Sequence, residues 1–382
     1  MENRRFTTLI FMLAKLHKIQ FSVRACSIPH IKASFPYLAP LNFNELMWQL
    51  DELKTFLSVP RKILITTHSK PDGDAMGSSL AMYHYLLKKG HEPVVVSPSD
   101  YGMYLHWMPG NASVLCLPGD KEKALKFLKE ADLIMCLDFN NYQRTEYFSE
   151  ALRNATAPKM MIDHHLEPEG FDIFRLWNPD ACATAELVYN LIEQLGDVNL
   201  IDRDIATCIY TGIITDSGSF RYPNVTARVH RIVASLIDAG LQHTEVHTFI
   251  FDTFTEKRLR FFGHCIKDKL VVLPQYRAAY ISVTREEIKE YEIKTGETEG
   301  LVNYPLNISD VVFAALIIDR EHIVKLSLRS KGSFPANEFS AKYFEGGGHL
   351  NAAGGSYKGK LDDAVALYIK GLEEYKSLLM SM

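Results

Sequence analysis

Residues 63–78 read ILITTHSKPDGDAMGS, and this stretch decides the fold that we predict. Its first five residues are apolar or β-branched, which is typical of a buried strand. Pro71 and Gly73 predict a tight turn after that strand. From residue 78 to 89 apolar side chains recur at helical spacing, and Gly90 predicts the end of the helix. A strand, a turn and a helix in this order indicate one unit of a parallel α/β sheet.

The same alternation continues to about residue 250 and then changes. Apolar runs predict further strands at residues 94–97, 133–137 and 160–162, and a buried, strand-like element at 205–215. Helical spacing predicts helices at residues 121–131, 184–195 and 225–239. Later runs predict a second, smaller sheet with strands at residues 270–273, 278–283, 311–318 and 323–328 and helices at 337–344 and 362–379. We therefore expect an α/β protein with a parallel-sheet N-terminal domain and a smaller α/β C-terminal domain.

Four segments follow from these patterns. They are a basic leader (residues 1–42), the first domain (43–250), a charged helical linker (251–268) and the second domain (269–382). The apolar run of the leader is cut short by Lys15 and Lys18, and nowhere do about 18 apolar residues in a row predict a membrane helix. Six scattered cysteines without a Cys-x-x-Cys pair favour reduced thiols and a cytoplasmic protein.

The composition limits the classes of function. The 382 residues are 47% hydrophobic and 23% charged, which is ordinary for a globular protein with a buried core. The net charge of −4 argues against the broad basic surface that a protein coating nucleic acid needs. A small phosphorylated substrate remains compatible with this charge, because a few local cations suffice to bind it.

Four strand-like runs share one property, which is that each ends in a histidine or an aspartate. The residues that follow the runs 63–67, 133–137, 160–162 and 209–215 are His68, Asp138, Asp163 and Asp216. A single aspartate at such an end usually caps a turn or the next helix. Because ligands bind beyond the carboxyl ends of parallel strands, four such ends favour one shared site.

The residue types at these ends predict a metal site. Two imidazoles and four carboxylates without a thiolate suit a pair of divalent ions, with Mn²⁺ favoured and Mg²⁺ or Co²⁺ as alternatives. Two ions about 3.5–4 Å apart can activate a water and clamp the oxygens of a displacement at phosphorus. We therefore predict a two-metal phosphoesterase with the candidate ligands His68, Asp72, Asp74, Asp138, His164 and Asp216.

These motifs resemble a known family. Residues 68–78, Asp138, the triplet Asp163-His164-His165 and residues 215–220 resemble, in order, the four motifs of the DHH phosphoesterases. GGGHLNAAG at residues 346–354 resembles the signature of the associated DHHA1 domain. The match is closest to the bacterial nano-RNases (oligoribonucleases) that also dephosphorylate 3′-phosphoadenosine 5′-phosphate.

The resemblance implies a role for each matching residue of the first domain. One ion would be held by His68, Asp72 and Asp138, and the other by Asp74, Asp138, His164 and Asp216, so that Asp138 bridges them. Asp163 would orient its neighbours, and His165 would face the scissile phosphate as a phosphate donor or a proton source. Lys70 stands where the family usually has asparagine.

The second domain would supply specificity. Arg329, at a predicted strand end, can grip a phosphate with two parallel hydrogen bonds. A glycine-rich turn alone is usually only a turn. The resemblance nevertheless implies that the substrate's non-scissile phosphate is bound by Arg329, Gly347, Gly348 and His349. Arg144, six residues after Asp138, is left open between a site contact and a surface charge, and the aromatic stretch 101–109 is assigned to packing.

The preferred function is hydrolysis of short oligoribonucleotides or of a nucleotide 3′-phosphate in a cleft between two domains. Its substrate would be a short oligoribonucleotide or a nucleotide; we expect neither long duplex DNA nor a membrane as a partner, and a homodimer is left open. A linear or cyclic dinucleotide phosphodiesterase, a RecJ-like single-strand exonuclease and a pyrophosphatase or exopolyphosphatase are the enzyme alternatives. A nucleotide-binding or metal-sensing protein without activity is the alternative from another class, although all six candidate ligands are present.

Overall fold

The computed structural model describes residues 43–117, 119–294 and 296–382. The predicted leader, residues 1–42, lies outside the described residues. Leu46–Met382 forms one compact unit, and this unit contains two six-stranded sheets. Each sheet packs against a hydrophobic cluster of its own.

The first sheet is parallel throughout, with strand order β3-β2-β1-β4-β5-β6. Its strands are β1 Lys62–Thr66, β2 Glu92–Ser97, β3 Leu115–Cys116, β4 Leu133–Leu137, β5 Lys159–Asp163 and β6 Phe174–Trp177. The helices around it are α1 Phe43–Phe56, α2 Gly73–Lys88, α3 Lys121–Glu130, α4 Ser149–Asn154, α5 Thr184–Gln194, α6 Arg203–Asp216, α7 Ala227–Asp238 and α8 His243–Phe251. Ile63, Leu64 and Ile65 of β1 are fully buried at the centre of the sheet, as expected for an apolar run covered on both faces.

The predicted fourth strand at residues 209–215 was wrong, because this run belongs to helix α6. The helix begins where the side chain of Asp202 accepts a hydrogen bond from the backbone N–H of Ile205. Its middle is apolar on all sides because neighbouring helices cover it, and such a run cannot be told from a buried strand by periodicity alone. The short strands β3 and β6 were not predicted.

Two glycines let α6 approach α2 closely. A Cβ atom on Gly77 would lie 2.6 Å from the carbonyl oxygen of Cys208, and one on Gly212 would lie 2.7 Å from Oδ1 of Asp74. Both distances are shorter than real Cβ contacts, so only glycine fits at this crossing. The close packing brings the last residue of α6, Asp216, next to the first turn of α2.

A helical segment joins the two sheets. It consists of α9 Glu256–His264 followed by a π-helical turn, Cys265–Lys269. The second sheet is mixed, with strand order β11-β12-β10-β9-β8-β7 and only the β8–β9 pair parallel. Its elements are β7 Leu270–Leu273, β8 Ala278–Val283, α10 Arg285–Glu290, β9 Phe313–Arg320, β10 Ile323–Ser330, α11 Ala336–Tyr343, β11 Gly347–His349, β12 Ala352–Tyr357 and α12 Leu361–Met380. The predicted fold class is confirmed.

The remaining predictions about the chain as a whole concern cysteines and membranes. Cys136, Cys182, Cys208 and Cys265 are buried and unpaired, as predicted, and Cys116 is half-buried and unpaired. No helix in the described part of the chain combines the length and the apolar character that crossing a membrane requires.

Candidate metal centre and substrate cavity

The ends of β1 and β4 bring together the first group of candidate ligands. Nε2 of His68 lies 3.4 Å from Oδ2 of Asp138 and 4.0 Å from Oδ1 of Asp72. Nδ1 of His68 lies 2.9 Å from the carbonyl oxygen of Ser69. A carbonyl only accepts, so Nδ1 carries a proton, and Nε2 is the ring nitrogen that faces the carboxylates. Ligand atoms of these three residues all lie within 4.8 Å of one another, a spacing that suits one metal ion.

The second group forms where β5 and α6 end beside α2. Nε2 of His164 lies 3.3 Å from Oδ2 of Asp216, 3.8 Å from Oδ2 of Asp74 and 3.6 Å from Oδ1 of Asp138. Its Nδ1 lies 3.0 Å from the carbonyl oxygen of Ala181 and therefore donates to it. A hydrogen bond from the ring nitrogen that faces away from the metal fixes the tautomer of a metal-binding histidine. Asp138 contacts the histidines of both groups.

The N-terminus of α5 holds two of these carboxylates in place. The backbone N–H groups of Thr184 and Ala185 donate to the two oxygens of Asp74 at 2.6 and 2.9 Å. The hydroxyl of Thr184 donates to Oδ1 of Asp138 at 2.8 Å. A helix N-terminus favours negative charge, which makes it a suitable support for carboxylates. Sequence reasoning missed this role, because the local sequence of α5 carries no signal for which distant carboxylates it faces.

Asp163 belongs to neither of these two groups, although its carboxylate also lies within metal-ligand spacing of Asp138 and His165. Its Oδ1 lies 2.8 Å from Nδ1 of His165, and that ring nitrogen is 3.7 Å from Oδ1 of Asp138. Asp163 is fully buried, and its Oδ2 has no hydrogen-bond partner among the described residues. The carboxylate therefore fixes the orientation of the His165 ring and leaves Nε2 of that ring unconstrained.

The electrostatics of the two groups favour a cation. Burial would raise the pKa of Asp138, but the hydrogen bond with His68 and the nearby imidazoles hold it far below its usual range. Burial and the charge of Asp138 raise the pKa of Asp74 well above its usual value. Partial burial, together with Asp72 and Asp138, raises the pKa of Asp216 to about 7 although His164 opposes the shift. Two carboxylates are thus hard to ionise for lack of positive charge, which divalent ions would supply.

A cavity of about 730 Å³ adjoins the metal groups, which is within the size range of small-ligand sites. Residues of both sheets line it, including Asp72, His164 and Asp216 from the first and Arg329 and His349 from the second. The structure thus places the second-sheet candidates opposite the metal groups.

His349 reaches the two histidines of the triplet. Its ring centroid lies 4.7 Å from that of His164 and 4.8 Å from that of His165. Burial, with these imidazoles next to it, lowers the pKa of His349 to about 3, so the ring is neutral at neutral pH. Gly347 and Gly348 lie beside it in β11 but do not line the cavity.

Arg329 is a free cation in the cavity wall. Its Nη1 donates to the carbonyl oxygen of Leu328 at 3.0 Å. Within the described part of the chain it has no carboxylate at ion-pair distance. Its remaining guanidinium donors are therefore available to an anionic ligand.

The structure also resolves two points that the sequence left open. Arg144 belongs to the site, because its Nη1 lies 3.3 Å from the carbonyl oxygen of Asp138 and its charge lowers the pKa of His165 and His349 after the larger effect of burial. Within the aromatic stretch 101–109, the packing prediction holds for Trp107, which stacks on Phe249. It does not hold for Tyr104, which lines the cavity.

Comparison with known proteins identifies both halves. Residues 62–213 match the DHH family, N-terminal domain, and residues 275–374 match the DHHA1 domain. The chain belongs to the DHH family. The resemblance seen in the sequence is thereby confirmed, and the metal groups lie in and directly after the DHH region, with Arg329 and His349 in the DHHA1 region.

Relatives of this DHH protein cover nearly its whole described length. The bifunctional oligoribonuclease and PAP phosphatase NrnA of Thermus thermophilus is 29% identical over 83% of this chain and 91% of its own. The protein of the same name from Bacillus subtilis is 23% identical over 80% of this chain and 92% of its own. The crystal structure of an exopolyphosphatase-related protein from Bacteroides fragilis is 37% identical, with a TM-score of 0.84 over 87% of this chain and 98% of that one.

Proposed function

We propose that this chain is a two-metal phosphoesterase that hydrolyses short oligoribonucleotides and nucleotide 3′-phosphates such as 3′-phosphoadenosine 5′-phosphate. The proposal depends on two groups of residues whose ligand atoms are spaced to hold a metal ion. The histidines of both groups contact Asp138, and the groups lie at the wall of a cavity that Arg329 also lines. The names of the Thermus and Bacillus relatives support this choice of substrates.

The donor set fits two divalent ions. His68, Asp72 and Asp138 would hold one, and Asp74, Asp138, His164 and Asp216 would hold the other. When bound, such ions supply a nucleophile at neutral pH and neutralise the charge that develops on the phosphoryl group. Mn²⁺ is the preferred ion, with Mg²⁺ or Co²⁺ as substitutes, because the ligands are carboxylates and imidazoles without thiolates.

The chain's own residues orient the substrate and handle protons. Asp163 holds Nδ1 of His165, so Nε2 of that ring is the atom left to face the scissile phosphate; once the ring is protonated, Nε2–H would donate to that phosphate or give its proton to the leaving oxygen. Arg329 and the neutral ring of His349 would bind the non-scissile phosphate, with the glycines Gly347 and Gly348 next to them in β11. Arg144 donates to the backbone carbonyl of Asp138 and adds positive charge near His165.

The division of labour between domains follows from this assignment. Residues 43–250 would carry the metal ions, residues 251–268 would link the domains, and residues 269–382 would bind the substrate. A cytoplasmic location and assembly as a homodimer stay predictions.

A substrate panel tests the proposal. Purified protein with Mn²⁺ is given 3′-phosphoadenosine 5′-phosphate, RNAs of two to five nucleotides, linear and cyclic dinucleotides, pyrophosphate and long single-stranded DNA, and initial rates are compared. We expect the highest rates on the first two, no activity after chelation, and none in a folded Asp138→Ala variant. Faster hydrolysis of cyclic dinucleotides, pyrophosphate or long DNA would contradict the proposal, and so would full activity of Asp138→Ala.

A further inference from the structure

Two carboxylates that line the cavity, Asp180 and Glu299, belong to neither metal group, and Glu299 is the one hydrogen-bonded to the aromatic stretch 101–109. Glu299 lines the cavity together with Asp72 and Arg329. Its Oε2 accepts a hydrogen bond from the hydroxyl of Tyr104 at 2.6 Å. Its Oε1 has no partner within the part of the chain that the structure describes. Half of the hydrogen-bonding capacity of this carboxylate is therefore available to a ligand.

Contacts from three directions fix the position of Glu299. Its backbone carbonyl accepts a hydrogen bond from Nη2 of Arg258 at 3.0 Å, and the guanidinium carbon of Arg258 lies 3.6 Å from the ring centroid of Phe254. Gly296, in the same turn, lies against Tyr104 so closely that a Cβ atom there would be 3.4 Å from the ring. The backbone of Glu299 is thus held in place, and the Tyr104 hydroxyl orients its carboxylate, before any ligand arrives, which lowers the entropy cost of binding.

A carboxylate is an unexpected group in a cavity for phosphorylated ligands, because it repels phosphate. Its favourable partner is a hydrogen-bond donor on an uncharged part of the ligand. Glu299 lies in the wall of the same cavity as Asp72 of the first metal group and Arg329, the arginine proposed to hold the non-scissile phosphate.

The ribose is the part of a nucleotide that joins two such phosphates. In 3′-phosphoadenosine 5′-phosphate and in the first unit of a 5′-phosphorylated oligoribonucleotide, one ribose carries both phosphates and a free 2′-hydroxyl. That hydroxyl is the donor by which a protein distinguishes RNA from DNA. Acidic side chains accept from ribose hydroxyls in the same way in dinucleotide-binding folds.

We propose that Glu299, positioned by Tyr104, accepts a hydrogen bond from the ribose 2′-hydroxyl of the substrate and so selects ribonucleotides over deoxyribonucleotides. This inference rests on the proposed function. It assigns the selectivity to a residue outside the metal groups and outside the Arg329 and His349 clamp.

The test compares 5′-phosphorylated diadenylate in its ribo and deoxyribo forms, with Mn²⁺ and initial rates as the readout. A hydrogen bond to a charged group predicts that the wild type prefers the ribo form by about 10- to 100-fold. In Glu299→Ala, hydrolysis of the ribo form should fall to the deoxyribo rate, and the deoxyribo rate should stay constant or rise. Tyr104→Phe should lose part of the preference. Glu373→Ala is the matched control, because Glu373 accepts from the hydroxyl of Tyr276 on the exposed surface.

Three results would overturn the inference, and they differ in what else they affect. If Glu299→Ala hydrolyses both substrates more slowly by the same factor, with or without a lower midpoint of thermal unfolding, Glu299 has a structural role between the domains and does not select the ribose. Equal wild-type rates on the two substrates would remove the ribose assignment and leave the proposed function standing. No hydrolysis of either substrate by the wild type would refute the proposed function and this inference with it.

Discussion

Replacing Thr184 by valine tests the support that α5 gives to the metal groups. Valine keeps the shape of threonine but removes the hydroxyl that donates to Asp138 at 2.8 Å. The backbone N–H of Thr184, which donates to Asp74, remains. Because both Thr184 and Asp138 are buried, water does not replace the lost donor. The substitution therefore removes one interaction from the carboxylate that both groups share.

The size of the effect follows from the type of hydrogen bond. A bond to a charged group contributes about 1.5–3 kcal/mol, which corresponds to about 10- to 150-fold. Loss of such a support to a metal ligand usually costs about 10- to 100-fold in metal affinity or activity. We expect Thr184→Val to need about 10- to 100-fold more Mn²⁺ for half-maximal activity. Saturating Mn²⁺ should restore part of the rate.

The assay is the initial rate of oligoribonucleotide hydrolysis over a series of Mn²⁺ concentrations. Thr184→Ser, which keeps the hydroxyl, should resemble the wild type. Thr211→Val is the matched control, because Thr211 is equally buried but its hydroxyl donates to the carbonyl of Thr207 within α6. Wild-type metal dependence of Thr184→Val, or equal damage in Thr184→Ser, would refute the reasoning.

Two further predictions concern the second domain and the helical segment that precedes it. Arg329→Ala should raise the KM for a 5′-phosphorylated substrate by about 10- to 100-fold through loss of a charge-assisted hydrogen bond, and its Mn²⁺ requirement should not change. Arg277→Ala is the control, because the guanidinium of Arg277 makes an exposed hydrogen bond in the same domain. A parallel loss of metal affinity in Arg329→Ala would contradict the assignment of metal binding and substrate binding to different domains. His264 lies 3.0 Å from Glu287 and 3.1 Å from Asp268, and the hydrogen bond with Glu287 raises its pKa. A raised folded pKa stabilises the protein below the unfolded value of about 6.5, and this contribution is lost as the pH rises through the folded pKa. In urea unfolding, the free energy of unfolding of the wild type should exceed that of His264→Gln by up to about 1 kcal/mol more at pH 6 than at pH 9. If this free-energy difference does not change with pH, the raised pKa of His264 is contradicted.

The sequence predicted the parts of the site that depend on strand ends. β4 ends at the predicted position and β1 and β5 end within one residue of it, so His68, Asp138 and the triplet meet at one edge of the sheet. Parallel pairing alone brings these ends together, and the apolar runs reveal the strands. The pattern of alternating strands and helices was therefore sufficient to predict the part of the site that lies at the strand ends.

The contribution of Asp216 was predicted for the wrong reason. The residue does reach the second metal group, but from the end of a helix that packs on α2 through Gly77 and Gly212. Asp202, which caps α6, offered a signal for a helix in the sequence, since aspartate three residues before an apolar run is a helix start. The length of the helix, 14 residues, is also more than a buried strand usually has.

Contacts between residues that are far apart in the chain could not be predicted from the sequence. Thr184 faces Asp138 and Tyr104 faces Glu299 because of tertiary packing, and neither pair has a spacing that a periodic pattern reveals. The strands β11 and β12 were missed for a different reason. Glycine is depleted in strands, so a run rich in glycine and alanine indicates a turn until its partner strand β10 is known.

Asp138 lies at the point of the site where backbone strain and the repulsion between carboxylates meet. Its backbone lies in the left-handed region at φ 63°, which costs free energy for a residue other than glycine. Its carboxylate contacts both histidines of the metal groups, and its charge raises the pKa of Asp74 and of Asp216. Strain and repulsion therefore accumulate at the point where cations would bind, and a bound cation would relieve the repulsion. Since a ligand that binds only the folded state stabilises that state, the stability of the first domain and the occupancy of its metal groups are coupled through this one residue.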